Sequence, residues 1–325
     1  MRTVPTRFVP LTGAARAGLH RLKSILKISR KISGQLPLVH RRCASYSCPA
    51  NSSRPPNFFA AVLRYFHVDA FAQTPFAGNP AGVCPLETAL PAALMQQIAA
   101  ENSLAETAFF VPRAGEPAGF DLRWFTPTVE IDLCGHATLA AAHVLFTHLD
   151  FAGEQVTFHS QSGPLRVTRA ADGRLTLDFP SRPPQELVGH PTGLADALGA
   201  TPLRVLAARD LLAVFNSEAE VRALAPNFVR IATLEYVGVI ATAPGSDGID
   251  FVSRFFAPRV GVPEDPVTGS AHSILIPFWA EKLGKTELRA RQISPRGGDL
   301  WCRLRGDRVD ISGYAVTYAA GELLV

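Results

Sequence analysis

Glu106 heads an apolar run, Thr107-Ala-Phe-Phe-Val111. A carboxylate at the mouth of such a strand is partly stripped of water, the setting in which a glutamate carries a proton near neutral pH. Taken alone, the same residue also fits an ordinary strand-end surface acid. Two more positions are suited to charge. Gly135-His136 and Gly269-Ser270 each open a stretch that reads as an uncharged helix. Free backbone N–H groups at a helix start attract a carboxylate or an oxyanion. A histidine beside glycine in a tight turn suits acid–base work, with a satisfied core histidine as its structural reading. Thr268 and Ser270 also suit helix capping, and Asp265 ahead of Pro266 suits a turn. His143 reads as a packed, hydrogen-bonded residue, and His272, one turn into the second helix, is placed to border a site. No His-x3-His or His/carboxylate spacing supports a metal.

These residues sit in a repeat. Phe125-Thr-Pro-Thr-Val-Glu-Ile-Asp-Leu-Cys-Gly-His-Ala-Thr138 returns, altered, as Phe256-Ala-Pro-Arg-Val-Gly-Val-Pro-Glu-Asp-Pro-Val-Thr-Gly-Ser-Ala-His272. Each copy runs from aromatic-x-Pro through an apolar link into a small-residue turn. A period of about 130 residues is too long for a solenoid and points to two similar domains sharing a cleft. Residues 135–146 and 270–279 carry no Asp, Glu, Lys or Arg, and a helix apolar all round is buried all round. Each half is therefore expected to wrap curved strands around a central helix, an α+β, barrel-like unit.

The flanking pattern supplies those strands. Val62 to Phe71 alternates as a strand, Gly78-Asn-Pro-Ala-Gly82 reads as a turn, and Pro91–Asn102 as a helix. Strands are expected over 106–112, 119–126, 155–160, 164–169 and 174–179. Pro180-Ser-Arg-Pro-Pro184 reads as the linker. Beyond it the pattern gives a helix (191–199) and strands at 203–207, 211–216, 236–243 and 249–256, then the second central helix and strands at 287–294, 299–305 and 308–313. The domains are thus 62–182, joined by the closing strand 314–325, and 183–313.

The net charge of +4 and pI near 8.9 mislead. Residues 1–61 hold eleven Lys/Arg and no acid, which leaves a net charge of −7 on residues 62–325. Nucleic acid is not an expected partner of an acidic body. The basic segment is open to three readings: a transit-like presequence, a basic arm, or an upstream extension from a misplaced start, disordered in each case. No run of eighteen apolar residues occurs, so no membrane partner is expected. Five cysteines without paired metal spacing suit a reducing, cytoplasmic setting.

The ordered set Gly78-Asn-Pro-Ala, Glu101-Asn-x3-Glu106-Thr-Ala-Phe, Phe125-Thr-Pro, Cys134-Gly-His-Ala-Thr and Glu264-Asp-Pro-Val-Thr-Gly-Ser-Ala-His resembles the PhzF phenazine-biosynthesis-like isomerases over residues 62–325. That resemblance implies a diaminopimelate epimerase-like fold, a homodimer, and cofactor-free proton transfer within a small anionic unsaturated substrate. It implies Glu106 as proton carrier with His136, Asp265 and Ser270 as catalytic partners, and substrate contacts from Asn79, Gly135, Thr268 and Gly269. The prototype reaction is isomerisation of trans-2,3-dihydro-3-hydroxyanthranilate; rivals are an epimerase or isomerase of another amino-acid-like acid and a non-catalytic binding protein. Racemisation by paired thiols is excluded, because the position matching Cys134 in the second copy is Thr268, whose hydroxyl is no base near neutral pH. Cys134 is then a small buried residue. Gly297-Gly298 lacks the spacing and context of a dinucleotide site, so no nicotinamide or flavin is implied.

Overall fold

The computed structural model describes residues 62–325 apart from 188 and 190. The expectation for residues 1–61 lies outside the described residues. The first half contributes β1 (Val62–Ala70), β2 (Asn79–Pro85), α1 (Ala92–Asn102), β3 (Glu106–Pro112), β4 (Gly119–Phe125), β5 (Glu130–Ile131), α2 (Gly135–His148), β6 (Gln155–Ser160), β7 (Gly163–Arg169) and β8 (Leu175–Pro180). The second half contributes β9 (Gln185–Glu186), α3 (Leu194–Leu198), β10 (Arg204–Ala207), β11 (Leu211–Val214), α4 (Glu218–Ala223), α5 (Phe228–Ile231), β12 (Val239–Pro244), β13 (Phe251–Ala257), β14 (Val262–Asp265), α6 (Gly269–Leu283), β15 (Glu287–Gln292), β16 (Gly298–Arg305) and β17 (Arg308–Gly313), and β18 (Ala315–Leu324) closes the chain.

The sequence repeat is matched by a repeat of strand pairing. β2 runs parallel to β3, β3 antiparallel to β4, β4 antiparallel to β5 and parallel to β6, and β6 and β7 continue antiparallel. β11 to β16 repeat that order, parallel and antiparallel in the same places. α2 and α6 occupy equivalent slots, between β5 and β6 and between β14 and β15. β8 pairs with β17 to join the two sets, and β18 pairs along the whole of β1.

Both central helices are enclosed, as their uncharged faces demand. Ala137, Leu139, Ala140, Ala141, Ala142 and Val144 of α2 have no exposed surface, nor do Ile274, Leu275, Ile276 and Trp279 of α6. Pro277 lies inside α6, where it cannot donate to the carbonyl of Ser273. That carbonyl accepts instead from the Arg182 N–H at 2.9 Å, so the proline docks the connecting segment onto the helix.

Residues 78–82 are not the turn the sequence suggests. Gly78 alone turns the chain, at φ 66°, and β2 starts at the next residue. Gly82 serves a close approach: a Cβ there would meet Thr107 Oγ1 at 2.9 Å. β5, β14, α4 and α5 were not expected, since elements of two to six residues are too short to carry a period. No helix among the described residues is long and apolar enough to cross a membrane.

Candidate active site

Glu106 opens β3, and its parallel pairing partner in β2 is Ala81. That register sets the start of β2, with Asn79, beside the start of β3. His136 is the second residue of α2, Asp265 the last of β14, and Gly269 and Ser270 the first two of α6. These ends converge on one cavity of about 510 Å³ lined by Glu106, Gly135, His136, Asp265, Thr268, Gly269 and Ser270. Asn79 stands behind that wall. It is fully buried and does not line the cavity; its Nδ2 donates to Asp265 Oδ1 at 2.7 Å and to the Val267 carbonyl at 2.9 Å, and lies 3.1 Å from His136 Nδ1. Asn79 therefore ties the histidine of one half to the aspartate of the other.

His136 Nε2 and Glu106 Oε2 are 2.9 Å apart and both buried, but the oxygen lies off the N–H direction. Neither atom has a well-aligned hydrogen bond among the described residues. Burial alone would lower the imidazole, but its acidic neighbours, Cys134 and Glu106, outweigh it and hold His136 well above the usual histidine range. Burial pushes the Cys134 thiol up to about 11, so it is neutral at pH 7, and the charge that sustains an imidazolium there is the glutamate's. Asp265 is pushed up to about 6, first by burial, with the Glu106 charge adding to it against the pull of His136, Thr268 and Asn79. The Thr268 hydroxyl donates to Asp265 Oδ2, and Gln292 clamps the same turn, accepting from Thr268 N–H at 2.9 Å and donating to the Asp265 carbonyl at 2.7 Å.

The two helix starts meet almost in contact. A Cβ on Gly135 would lie 3.2 Å from Gly269 Cα, so only glycine lets both N-termini face one cavity. Neither Cys134 nor Thr268 caps its helix through a side chain. Ser270 lines the cavity half-buried, and its hydroxyl makes no hydrogen bond among the described residues.

Three sequence readings change. Cys134 is buried, but it also lines the cavity and approaches His136 Nδ1 at 3.5 Å. Glu106, Cys134 and His136 each offer a donor atom within 4.8 Å of the others, so histidine and carboxylate do cluster, through strand register that no local spacing reveals. These are donor types a divalent metal takes, although the thiol must first lose its proton. His272 does not border the cavity: it is fully buried, its Nδ1 sits 2.8 Å from the Thr268 carbonyl, and burial lowers it to about 4. His143 bonds Thr317 at 2.9 Å, packed as expected. Sequence reasoning missed Arg209, Asp210 and Arg259 on the cavity wall. Their only local signal is a charged pair between two apolar strands and one arginine after a proline, which any surface turn also shows.

Comparison with known proteins agrees with this arrangement. The family model described as "Phenazine biosynthesis-like protein" matches residues 68–321. A protein named as an uncharacterized isomerase of Pseudomonas aeruginosa is 55% identical over 262 residues, 80% of this chain and 98% of that protein. The crystal structure of a PhzF-family phenazine biosynthesis protein from Enterococcus faecalis matches with a TM-score of 0.78 at 47% identity, covering 82% of this chain and 100% of that one. A hydroxyproline epimerase from Agrobacterium vitis matches at 11% identity with a TM-score of 0.54 over 81% of this chain and 93% of its own, a likeness of fold alone. The fold is the α+β, diaminopimelate epimerase-like arrangement that the motifs imply.

Proposed function

The chain belongs to the phenazine biosynthesis-like protein family, and from that premise we propose that it is a cofactor-independent isomerase moving one proton within a small, anionic, unsaturated substrate. The observation that carries this reading is the buried contact of Glu106 Oε2 with His136 Nε2 at 2.9 Å, between two residues that line the cavity. Glu106 takes a proton from one substrate carbon, the electron pair of that C–H bond moves into the adjacent π system, and the proton returns to a different carbon. One C–H bond breaks and one forms, with no net redox change. The imidazolium of His136 offsets negative charge as it develops, and the helix starts at Gly135 and Gly269 present N–H groups to an anionic part of the substrate. Asp265, held by Asn79 and Thr268, supplies an acceptor or, below about pH 6, a donor on the same wall. The first substrate to try is trans-2,3-dihydro-3-hydroxyanthranilate. Thr268 in the second cysteine position argues against two-thiol racemisation of an amino acid.

Glu106→Gln keeps the shape and removes the group that accepts the proton. We expect turnover, followed as deuterium uptake from D₂O, to fall by at least about 100-fold with the melting temperature within about 2 °C. Cys134→Ala should lower it by less than about tenfold, as the thiol has no second base to work with. Near-normal turnover in the Gln variant, or an equal collapse in the Ala variant, would mean that the mechanism belongs to another branch of the fold.

A further inference from the structure

The cavity carries a second polar group that proton transfer does not use. Asp210, just before β11, lines it while only 1% exposed, and its Oδ1 has no hydrogen-bond donor among the described residues. The Asp210 carbonyl accepts from Ala208 N–H at 3.1 Å, and Leu211 N–H donates to Gly238 at 3.0 Å, which fixes the backbone on either side of the carboxylate. Burial raises its carboxyl above the ordinary range, against the pull of Arg209, Arg182 and the Gly238 N–H. Asp210 lines the same cavity as Glu106, His136 and Asp265, from a different segment of the chain. The cavity is also lined by Arg209 and Arg259, exposed cations with no ion pair among the described residues; Arg259 is anchored by Nη1 to the Leu234 carbonyl at 2.9 Å.

A buried carboxylate oxygen without a donor is a feature folded proteins seldom keep without a use. We propose that Asp210 is a specificity residue that accepts a hydrogen bond from an N–H or O–H group of the substrate, while Arg209 and Arg259 draw an anionic group to the same cavity. The substrate class this selects is a small acid bearing a hydrogen-bond donor on an atom close to its anionic group. An acid of the same shape without the donor leaves Asp210 unpaired and is discriminated against, because the cost of an unfilled buried acceptor then persists in the complex. The proposal rests on the cavity being the substrate site, as the isomerase reading has it, and it adds what that site reads.

The test uses two probes of the same shape, 2-aminobenzoate and benzoate, with binding measured by titration calorimetry on the full chain. The wild type should prefer 2-aminobenzoate by at least about tenfold, the effect of one hydrogen bond to a charged acceptor. Asp210→Ala should bring the ratio close to one, and Asp210→Asn, which keeps a carbonyl acceptor in place, should retain part of the preference. Without ligand, neither variant should melt more than about 3 °C below the wild type, since the free Oδ1 has no partner to lose. Equal binding of both probes by the wild type, binding of neither, a preference that survives in Asp210→Ala, or a large loss of stability in both variants would overturn the proposal. Calorimetry needs no turnover, so failure of the proton-transfer reading would show as absent deuterium uptake while the Asp210 ratio stayed measurable.

Discussion

Burial dominates the protonation of Asp265 beside Asn79, and it has a cost. Its carboxyl sits at about 6 against an ordinary 3.8. Below pH 3.8 the folded and unfolded chains both hold the proton, so the residue is neutral to stability. Between 3.8 and 6 the unfolded chain releases a proton that the folded chain keeps, and stability falls as pH rises. Above 6 the loss is complete, at most about 3 kcal/mol for a shift of this size. Asp265→Asn removes the charge while giving up one carboxylate acceptor. Thermal melts should therefore show the Asp265→Asn variant no better than the wild type at about pH 4 and gaining on it steadily toward about pH 8. An advantage that shrank with rising pH would mean that His136 stabilises the ionised carboxylate more than burial opposes it. On the proposed isomerase reading, a residue kept at such expense, and tied by Asn79 to the histidine of the other half, serves chemistry rather than folding.

At the scale of elements, the two helix starts are sensitive to a single methyl group. Alanine at Gly269 would bring Cβ to 3.3 Å from Gly135 Cα, and alanine at Gly135 would bring it to 3.2 Å from Gly269 Cα and 3.5 Å from Phe179. The neighbour is backbone, which cannot rotate away, so the helices must part by a few tenths of an ångström. Each substitution should cost about 1 kcal/mol, overpacking offset in part by alanine's better helix propensity. The double variant should lose more than the sum of the two in denaturant melts, because both methyls compete for one gap. Simple additivity would show that the helix starts have room to spare. Much of this was readable beforehand: the uncharged runs after Gly135 and Gly269 announced buried helices, and the motif order announced the convergence of Glu106, His136, Asp265 and Ser270 on one wall. The rest depended on distance in space. Gly82 looked like a turn residue because glycine signals both a turn and a close approach, and only the Thr107 side chain across the sheet decides between them. Pro277 removes one N–H from α6, and the Arg182 N–H that takes its place at the Ser273 carbonyl is not visible in the linear pattern. Arg209 and Asp210 looked like any charged turn, since nothing in a linear pattern shows that the two residues line a cavity.

The two repeated sets of strands meet in one sheet where β8 pairs with β17, and the register of that seam sets a problem in charge. Phe179 opposes Val309 and Leu177 opposes Ile311, all four fully buried, so the inward face is held by apolar packing. On the outward face Asp178 falls directly opposite Asp310, and two like charges paired across strands repel. Two arginines from the same hairpin resolve this. Arg305 donates to Asp310 at 2.7 and 2.8 Å and to Asp178 at 3.0 Å, and Arg308 donates to Asp178 Oδ1 at 2.8 Å and to the Asp178 carbonyl at 2.9 Å. Single surface ion pairs contribute little, but here the cations neutralise a repulsion built into the register. Replacing both Arg305 and Arg308 with alanine should lower stability by about 1 kcal/mol in dilute buffer and by less in about 0.5 M salt, where the carboxylates are screened. Adding Asp178→Asn to that background should recover at least about half of the loss, an outcome that loss of arginine packing alone would not give. Denaturant melts of the three chains at low and high salt decide it. No recovery, or a loss that salt leaves untouched, would mean that the apolar face alone joins the two sets of strands and that the outward charges are passengers on the seam.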